Sequence, residues 1–234
     1  MNKPALVVMA RTPEAGRVKT RLQPALSPAQ CADLYKAFLG DAIDLAMFMK
    51  DFAHFMAFTP AESKPIFERF VPAGMELIPQ VGSDLGAVMD GLMNSLLARK
   101  YSPVVLIGSD IPVLQPRTVR RALAALETAD ICLGSSRDGG YYLIGAKKPV
   151  STLFQGIPWS SPKVLKVTLE KATSAGLTAA LLEELSDVDL PSDFAALDAE
   201  IRALHGVKGN RIPARTENWL KSVRLNYKDI SSLC

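Results

Sequence analysis

Ala5-Leu-Val-Val-Met-Ala10, running straight into Arg11-Thr-Pro-Glu-Ala-Gly-Arg-Val-Lys-Thr-Arg21, is the stretch on which the fold turns. A short, unbroken apolar run suits a strand buried on both faces, as strands of a parallel sheet are. The loop behind it carries four cations, Arg11, Arg17, Lys19 and Arg21, within eleven residues. Arginine offers a planar fork to phosphate oxygens, and lysine offers a point charge. Gly16 would let the backbone come close to a ligand. A solvated basic loop is the plainer alternative, but this loop leaves the carboxyl end of a buried strand. Ligands of open α/β sheets gather there. The order Gly16-Arg-Val-Lys-Thr20 is not that of a Walker A loop, nor is it GxGxxG.

Working outward, Ser27, Pro28 and Gln30 form a capping box with proline at the first helical position. The apolar stripe Cys31, Leu34, Tyr35, Phe38, Ala42, Leu45, Ala46 and Met49 has the three-and-four spacing of a helix lying on a sheet. Strands are expected at 53–59, 75–79, 103–108, 131–134, 141–145 and 178–182. Helices are expected at about 66–70, 85–97, 116–126, from Ser161-Pro162 to Gly176, 191–204 and 217–225. Residues 131–134 and 141–145 lie too close for a helical crossover, so the second of these strands must run antiparallel to a neighbour or end at a bulge. The remaining alternation implies a three-layer α/β/α domain with a mostly parallel, mixed sheet. One domain is expected over residues 1–204, with 205–234 as a basic C-terminal extension.

The chain has 234 residues, 48% hydrophobic and 22% charged, enough for one self-sufficient core. A net charge of +3 names no nucleic-acid partner. No stretch approaches the about 18 apolar residues of a membrane span, and the N-terminal apolar run is too short for a signal peptide. Membrane insertion is therefore not expected, and a cytoplasmic location is. The three cysteines, Cys31, Cys132 and Cys234, are widely and irregularly spaced, as free thiols are. The two histidines, His54 and His205, lie in no motif and read as structural.

Four further segments bear on chemistry. In Leu106-Ile-Gly-Ser-Asp-Ile-Pro112 a carboxylate follows a buried strand. Magnesium takes one or two such carboxylates and completes its shell with water and phosphate. A turn-capping aspartate is the plain alternative. Arg137-Asp-Gly-Gly-Tyr-Tyr142 sets two glycines beside two tyrosines, as a hairpin turn or as a flat binding surface. In Asp187-Val-Asp-Leu-Pro-Ser-Asp193, Asp193 suits helix capping. Asp189 is either a cap or a second metal ligand. Gln80-Val-Gly-Ser-Asp-Leu-Gly86 precedes a helix that Asp84 can cap.

Together and in this order, MARTPEAGRVKTRL (9–22), QVGSDLG (80–86), LIGSDIPVL (106–114), SSRDGGYYLIG (135–145), IPWSSPKVL (157–165) and LSDVDLPSD (185–193) resemble the bacterial glycosyltransferase-A-like family DUF2064, also called selenodomain-associated transferase 1. The resemblance implies a nucleotide-diphospho-sugar transferase fold. It implies phosphate or nucleotide binding by Ala10, Arg11, Gly16, Arg17, Lys19, Arg21, Gly82, Asp84 and Ser109. Asp110, with Asp189, would hold Mg²⁺ or Mn²⁺, and Asp110 and Lys19 would be the catalytic groups. Asp138, Gly139, Gly140 and Tyr141 would face the sugar or acceptor. The expected partners are a nucleotide or nucleotide-sugar donor and an unnamed acceptor; a homodimer stays open. Pro13 and Glu14 replace the Gly-rich start of nucleotidyltransferase loops, which favours a diphosphate donor. The expected function is therefore metal-dependent transfer from a nucleotide-activated donor, foremost a nucleotide-sugar. The alternatives are a nucleotidyltransferase releasing pyrophosphate and a non-catalytic nucleotide-binding module. Ala87-Val88, where the family usually has Glu-Arg, and Arg137, at a commonly acidic position, motivate the last.

Overall fold

A computed structural model describes residues 2–223. The chain folds as β1 (Ala5–Arg11), α1 (Pro28–Phe48), β2 (Ala53–Thr59), α2 (Lys64–Phe67), β3 (Met75–Pro79), α3 (Leu85–Ala98), β4 (Val104–Ile107), α4 (Pro116–Thr128), β5 (Ile131–Ser136), β6 (Tyr141–Ala146), α5 (Val164–Ser174), β7 (Ala179–Leu185), α6 (Asp193–His205) and α7 (Ala214–Val223). The seven strands form one sheet in the order β3-β2-β1-β4-β6-β5-β7. Only β6 runs antiparallel, against both β4 and β5, with a register shift at Gly134/Ser135. The fold is thus the expected α/β type with a mostly parallel, mixed sheet.

Alternation along β1 explains its burial on both faces. Leu6, Val8 and Ala10 point into one apolar layer with α1, α4 and α6. Ala5 and Val7 point into the other, with α3 and α5. The expected stripe of α1 is buried throughout. Its capping box forms as the sequence implies: Gln30 N–H donates to Ser27 Oγ, and Ser27 N–H donates to Gln30 Oε1. Several boundaries differ from expectation. The helix expected at 66–70 lies at 64–67, α5 starts at Val164 rather than at the Ser161-Pro162 signal, and α6 starts at Asp193 rather than Pro191. Proline tolerates the turn before a helix as readily as its first residue, so it fixes such starts only to within a turn.

Residues beyond α6 pack back on α1. Asp41, buried in α1, accepts the N–H groups of Arg215 and Thr216 at 3.1 and 2.8 Å, capping α7 from a neighbouring helix. Leu220 completes the same apolar layer. The remainder of the helix expected at 217–225, beyond Val223, and Cys234 lie outside the described residues; Cys31 and Cys132 are buried free thiols. His54 Nε2 lies 2.9 Å from Met49 O, and His205 pairs with Glu217; neither lines the large cavity at the strand ends.

Candidate functional site

The strand order reverses beside β1. From β1 the chain steps outward through β2 and β3, then returns to the other side of β1 at β4. Ligands of such sheets bind where the carboxyl ends part at this switch. A cavity of about 790 Å³ opens there, between the β1 end at Ala10-Arg11 and the β4 end at Gly108-Ser109-Asp110. That volume suits a nucleotide-sized ligand.

Three segments distant in sequence meet in it. Lys19 Nζ lies 2.8 Å from Asp189 Oδ1 and 3.0 Å from Asp110 Oδ1, with its side chain 4% exposed. The Phe38 ring forms its floor, 5.6 Å from the ammonium. Burial pulls this ammonium toward neutrality, but the two carboxylates more than offset that, and its pKa stands above the usual lysine value. Lys19 itself has φ 49°, a left-handed backbone that side-chain-bearing residues rarely adopt, with buried Val18 and Leu22 near it on either side. Apart from the lysine, Asp110 Oδ1 is sealed from solvent with no hydrogen-bond partner.

Neighbouring groups hold this arrangement. Tyr35 hydroxyl accepts the Arg11 N–H at 3.0 Å and shares a hydrogen bond with Ser109 Oγ at 2.9 Å, tying β1 to β4 through α1. Burial, then Asp110, push its pKa up to about 12, so it stays protonated. Asp193 Oδ2 accepts the N–H groups of Asp189 and Leu190 at 2.9 and 2.7 Å, and Val188 N–H donates to Asp110 O at 3.4 Å. Gln80 donates to Ala10 O and Ala57 O, closing the sheet end beneath the cavity.

The sequence-derived residues divide into two groups. Ala10, Arg11, Arg17, Lys19, Arg21, Ser109, Asp110, Asp138, Gly140, Tyr141 and Asp189 all border the cavity. Gly16, Gly82, Asp84 and Gly139 do not. Gly16 sits on the exposed loop at φ 80°. Asp84 caps α3 by accepting Ala87 N–H at 2.8 Å, and Gly82 gives room to the α3 backbone, where an added Cβ would lie 2.6 Å from Val88 N. Gly139 turns the β5–β6 hairpin at φ 87°, under Pro162. Arg137 points away to Glu184, 3.7 Å off.

Asp187 was missed as a site residue. It borders the cavity beside Asp189, and burial, then the Asp138 and Asp189 charges, push its pKa up to about 6. The signal was present in the alternation Asp187-Val-Asp189: buried Val188 turns inward and leaves both carboxylates on the other side. Trp159, edge-on to Tyr141, forms part of the wall; its stretch, 157–165, carried the family resemblance but was given no role in the site. Asp138 is held by Ser136 Oγ and Gly140 N–H, both on Oδ1.

Four cations (Arg11, Arg17, Lys19, Arg21) and four carboxylates (Asp110, Asp138, Asp187, Asp189) thus border the cavity. Among the described residues no group of three or more histidines, cysteines or carboxylates forms a ready-made metal cage. The donor set nevertheless fits Mg²⁺ or Mn²⁺. Two hard carboxylates converge on one point already held by an ammonium, and such ions take few protein ligands beside phosphate.

The family model described as "Uncharacterized protein conserved in bacteria (DUF2064)" matches residues 43–161. The chain belongs to the DUF2064 family. A candidate nucleotide-diphospho-sugar transferase from Desulfovibrio desulfuricans G20 is similar to this DUF2064 chain, with 29% identity and a TM-score of 0.87 over 98% of this chain and 99% of that one. Two others share the fold at low identity. CMP:2-keto-3-deoxy-manno-octonic acid synthetase, complexed with CTP, is 14% identical with a TM-score of 0.55 over 86% and 99% of the two chains. A cytidylyltransferase from Leptospira borgpetersenii serovar Hardjo-bovis (strain JB197) is 11% identical with a TM-score of 0.53 over 96% of each chain. No curated protein matches the sequence. Among the described residues of this DUF2064 member, no helix is long and apolar enough to cross a membrane.

Proposed function

We propose that this DUF2064 protein is a metal-dependent transferase acting on a nucleotide-activated donor, foremost a nucleotide-sugar. The observation that carries this reading is the convergence of Lys19, Asp110 and Asp189 at the β1/β4 switch. A diphosphate brings negative charge to a cavity whose own cations and carboxylates balance in number. Mg²⁺ or Mn²⁺, held by Asp110 and Asp189, would supply the missing positive charge and polarise the leaving phosphate. Arg11, Arg17 and Arg21 line the approach and would orient phosphate oxygens. Lys19 would share charge on the leaving group from a dry position, where electrostatic stabilisation is strongest. Asp138, Gly140 and Tyr141 would face the sugar or the acceptor from the opposite wall.

Thermal-shift titration of nucleoside diphosphates and nucleotide-sugars with Mg²⁺ tests the reading. A ligand at 100 times its dissociation constant stabilises by about 2.7 kcal/mol, which raises the melting temperature by roughly 5–11 °C for a chain of this size. The shift should shrink sharply in Asp110→Asn. If no nucleotide shifts the wild type, the reading fails. The fold shared with a synthetase complexed with CTP and with a cytidylyltransferase supports a second reading, nucleotidyl transfer from a triphosphate. Pyrophosphate release from one of the four NTPs would favour it over glycosyl transfer.

A further inference from the structure

We propose that Lys19 is a tethered cation that competes with a divalent ion for Asp110 and Asp189, so that metal and a phosphate-bearing ligand enter this site together. The proposal rests on the metal-and-phosphate reading above and adds a binding order to it.

Lys19 contributes the one buried charge among the cavity's cations; Arg17 and Arg21 are 73% and 72% exposed, and Arg11 is exposed. Its Nζ touches carboxylates from two separate segments, the β4 end and the loop before α6. It also lies at the point on which both Oδ1 atoms converge, with the Phe38 ring beneath it. The backbone at Lys19 is left-handed (φ 49°), a conformation that side-chain-bearing residues rarely adopt.

Without another anion, a buried ammonium that left its partners would be stranded, and the two carboxylates, 47% and 36% exposed, would lose the cation nearest to them. A phosphate group supplies the first and a divalent ion the second. Either alone leaves one side without its nearest counter-charge. Binding of the two is therefore coupled, and the coupling is reciprocal. Arg21, 3.8 Å from Asp189 Oδ2, carries the same charge but lies outside the convergence point. It serves as the control for charge alone.

The test titrates Mn²⁺ alone, without nucleotide, read by the paramagnetic resonance signal of free Mn²⁺. Wild type should bind weakly. Lys19→Met, which keeps the side-chain bulk and removes the ammonium, should bind at least about tenfold more tightly, within the range of ordinary coupling energies. Arg21→Met should change affinity by less than about threefold, as an exposed charge does. Lys19→Gln gives the same reading should the Met variant fail to fold. Equal affinity of wild type and the Lys19 variants would overturn the proposal. So would an equal gain in Arg21→Met, which would mean that net charge alone governs metal uptake. Failure of nucleotides to shift the wild-type melting temperature would sink the transferase reading while leaving the Mn²⁺ comparison intact, so the two failures are distinguishable.

Discussion

Replacing Gly139 with alanine should destabilise the protein far more than replacing Gly156, although both glycines have left-handed backbones. Gly139 has φ +87° and Gly156 has φ +61°. A Cβ at Gly156 meets nothing within 4 Å, so that variant carries only the backbone cost, about 1–2 kcal/mol. A Cβ at Gly139 would stand 2.2 Å from Pro162 O and 2.6 Å from its carbonyl carbon. These are backbone atoms, and no rotamer change relieves the overlap. The Leu165 N–H bond to Gly139 O, 2.9 Å long, ties the same two segments and resists their separation. Overpacking of this kind adds about 1–3 kcal/mol, giving roughly 2–5 kcal/mol in all. The gain from a less flexible unfolded chain applies equally to both variants and cancels in the comparison. The melting temperature of Gly139→Ala should fall by roughly 4–20 °C, against roughly 2–8 °C for Gly156→Ala. Differential scanning calorimetry of the two variants decides the matter. Should they melt within a degree of each other, the contact between the β5–β6 turn and the Pro162 backbone is not the constraint described. Should the prediction hold, the Trp159–Ser161 wall of the cavity, just before Pro162 in the chain, is positioned through that contact.

Two other perturbations follow from the same structure. Asp41→Ala removes the buried acceptor of two α7 backbone N–H groups, which should cost about 1–3 kcal/mol and open residues 211–223 to limited proteolysis; unchanged melting and cleavage would refute the capping role. Asp130 is held below the usual carboxylate range by the Thr178 backbone N–H and hydroxyl. A depressed carboxylate stabilises above its unfolded value and loses that contribution as pH falls through its folded value. Asp130→Ala should therefore lose more stability relative to wild type in urea melts at neutral pH than at about pH 2.5, and an equal loss at both would contradict the assignment.

Sequence alone determined the elements whose signals are local. The continuous apolar run 5–10 announced a strand buried on both faces, and alternate residues do enter two different layers. The capping box at Ser27 and Gln30 fixed the start of α1, because each partner lies within one turn of the other. Spacing also limited β6 to an antiparallel partner or a bulged end, and the antiparallel pairing is the one that forms. The cluster of cations after β1 and the carboxylates at 110 and 189 were legible as chemistry-bearing residues. Their relation to one another was not. Nothing local says that the chain, after β2 and β3 on one side of β1, returns to its other side at β4 to create the switch point, since strand order depends on how whole layers pack. Nor does spacing reveal that Lys19 lies buried between Asp110 and Asp189, residues separated by much of the chain. Gly82, Asp84 and Gly139 illustrate the converse. Their residue types suit ligand approach and helix capping alike, and in the tertiary structure Gly82 and Asp84 lie at the start of α3 and Gly139 lies under Pro162. Local physics chose the elements and the candidate charges. Long-range packing brought those charges to one point, because only the folded sheet sets the ends of β1 and β4 and the loop before α6 side by side.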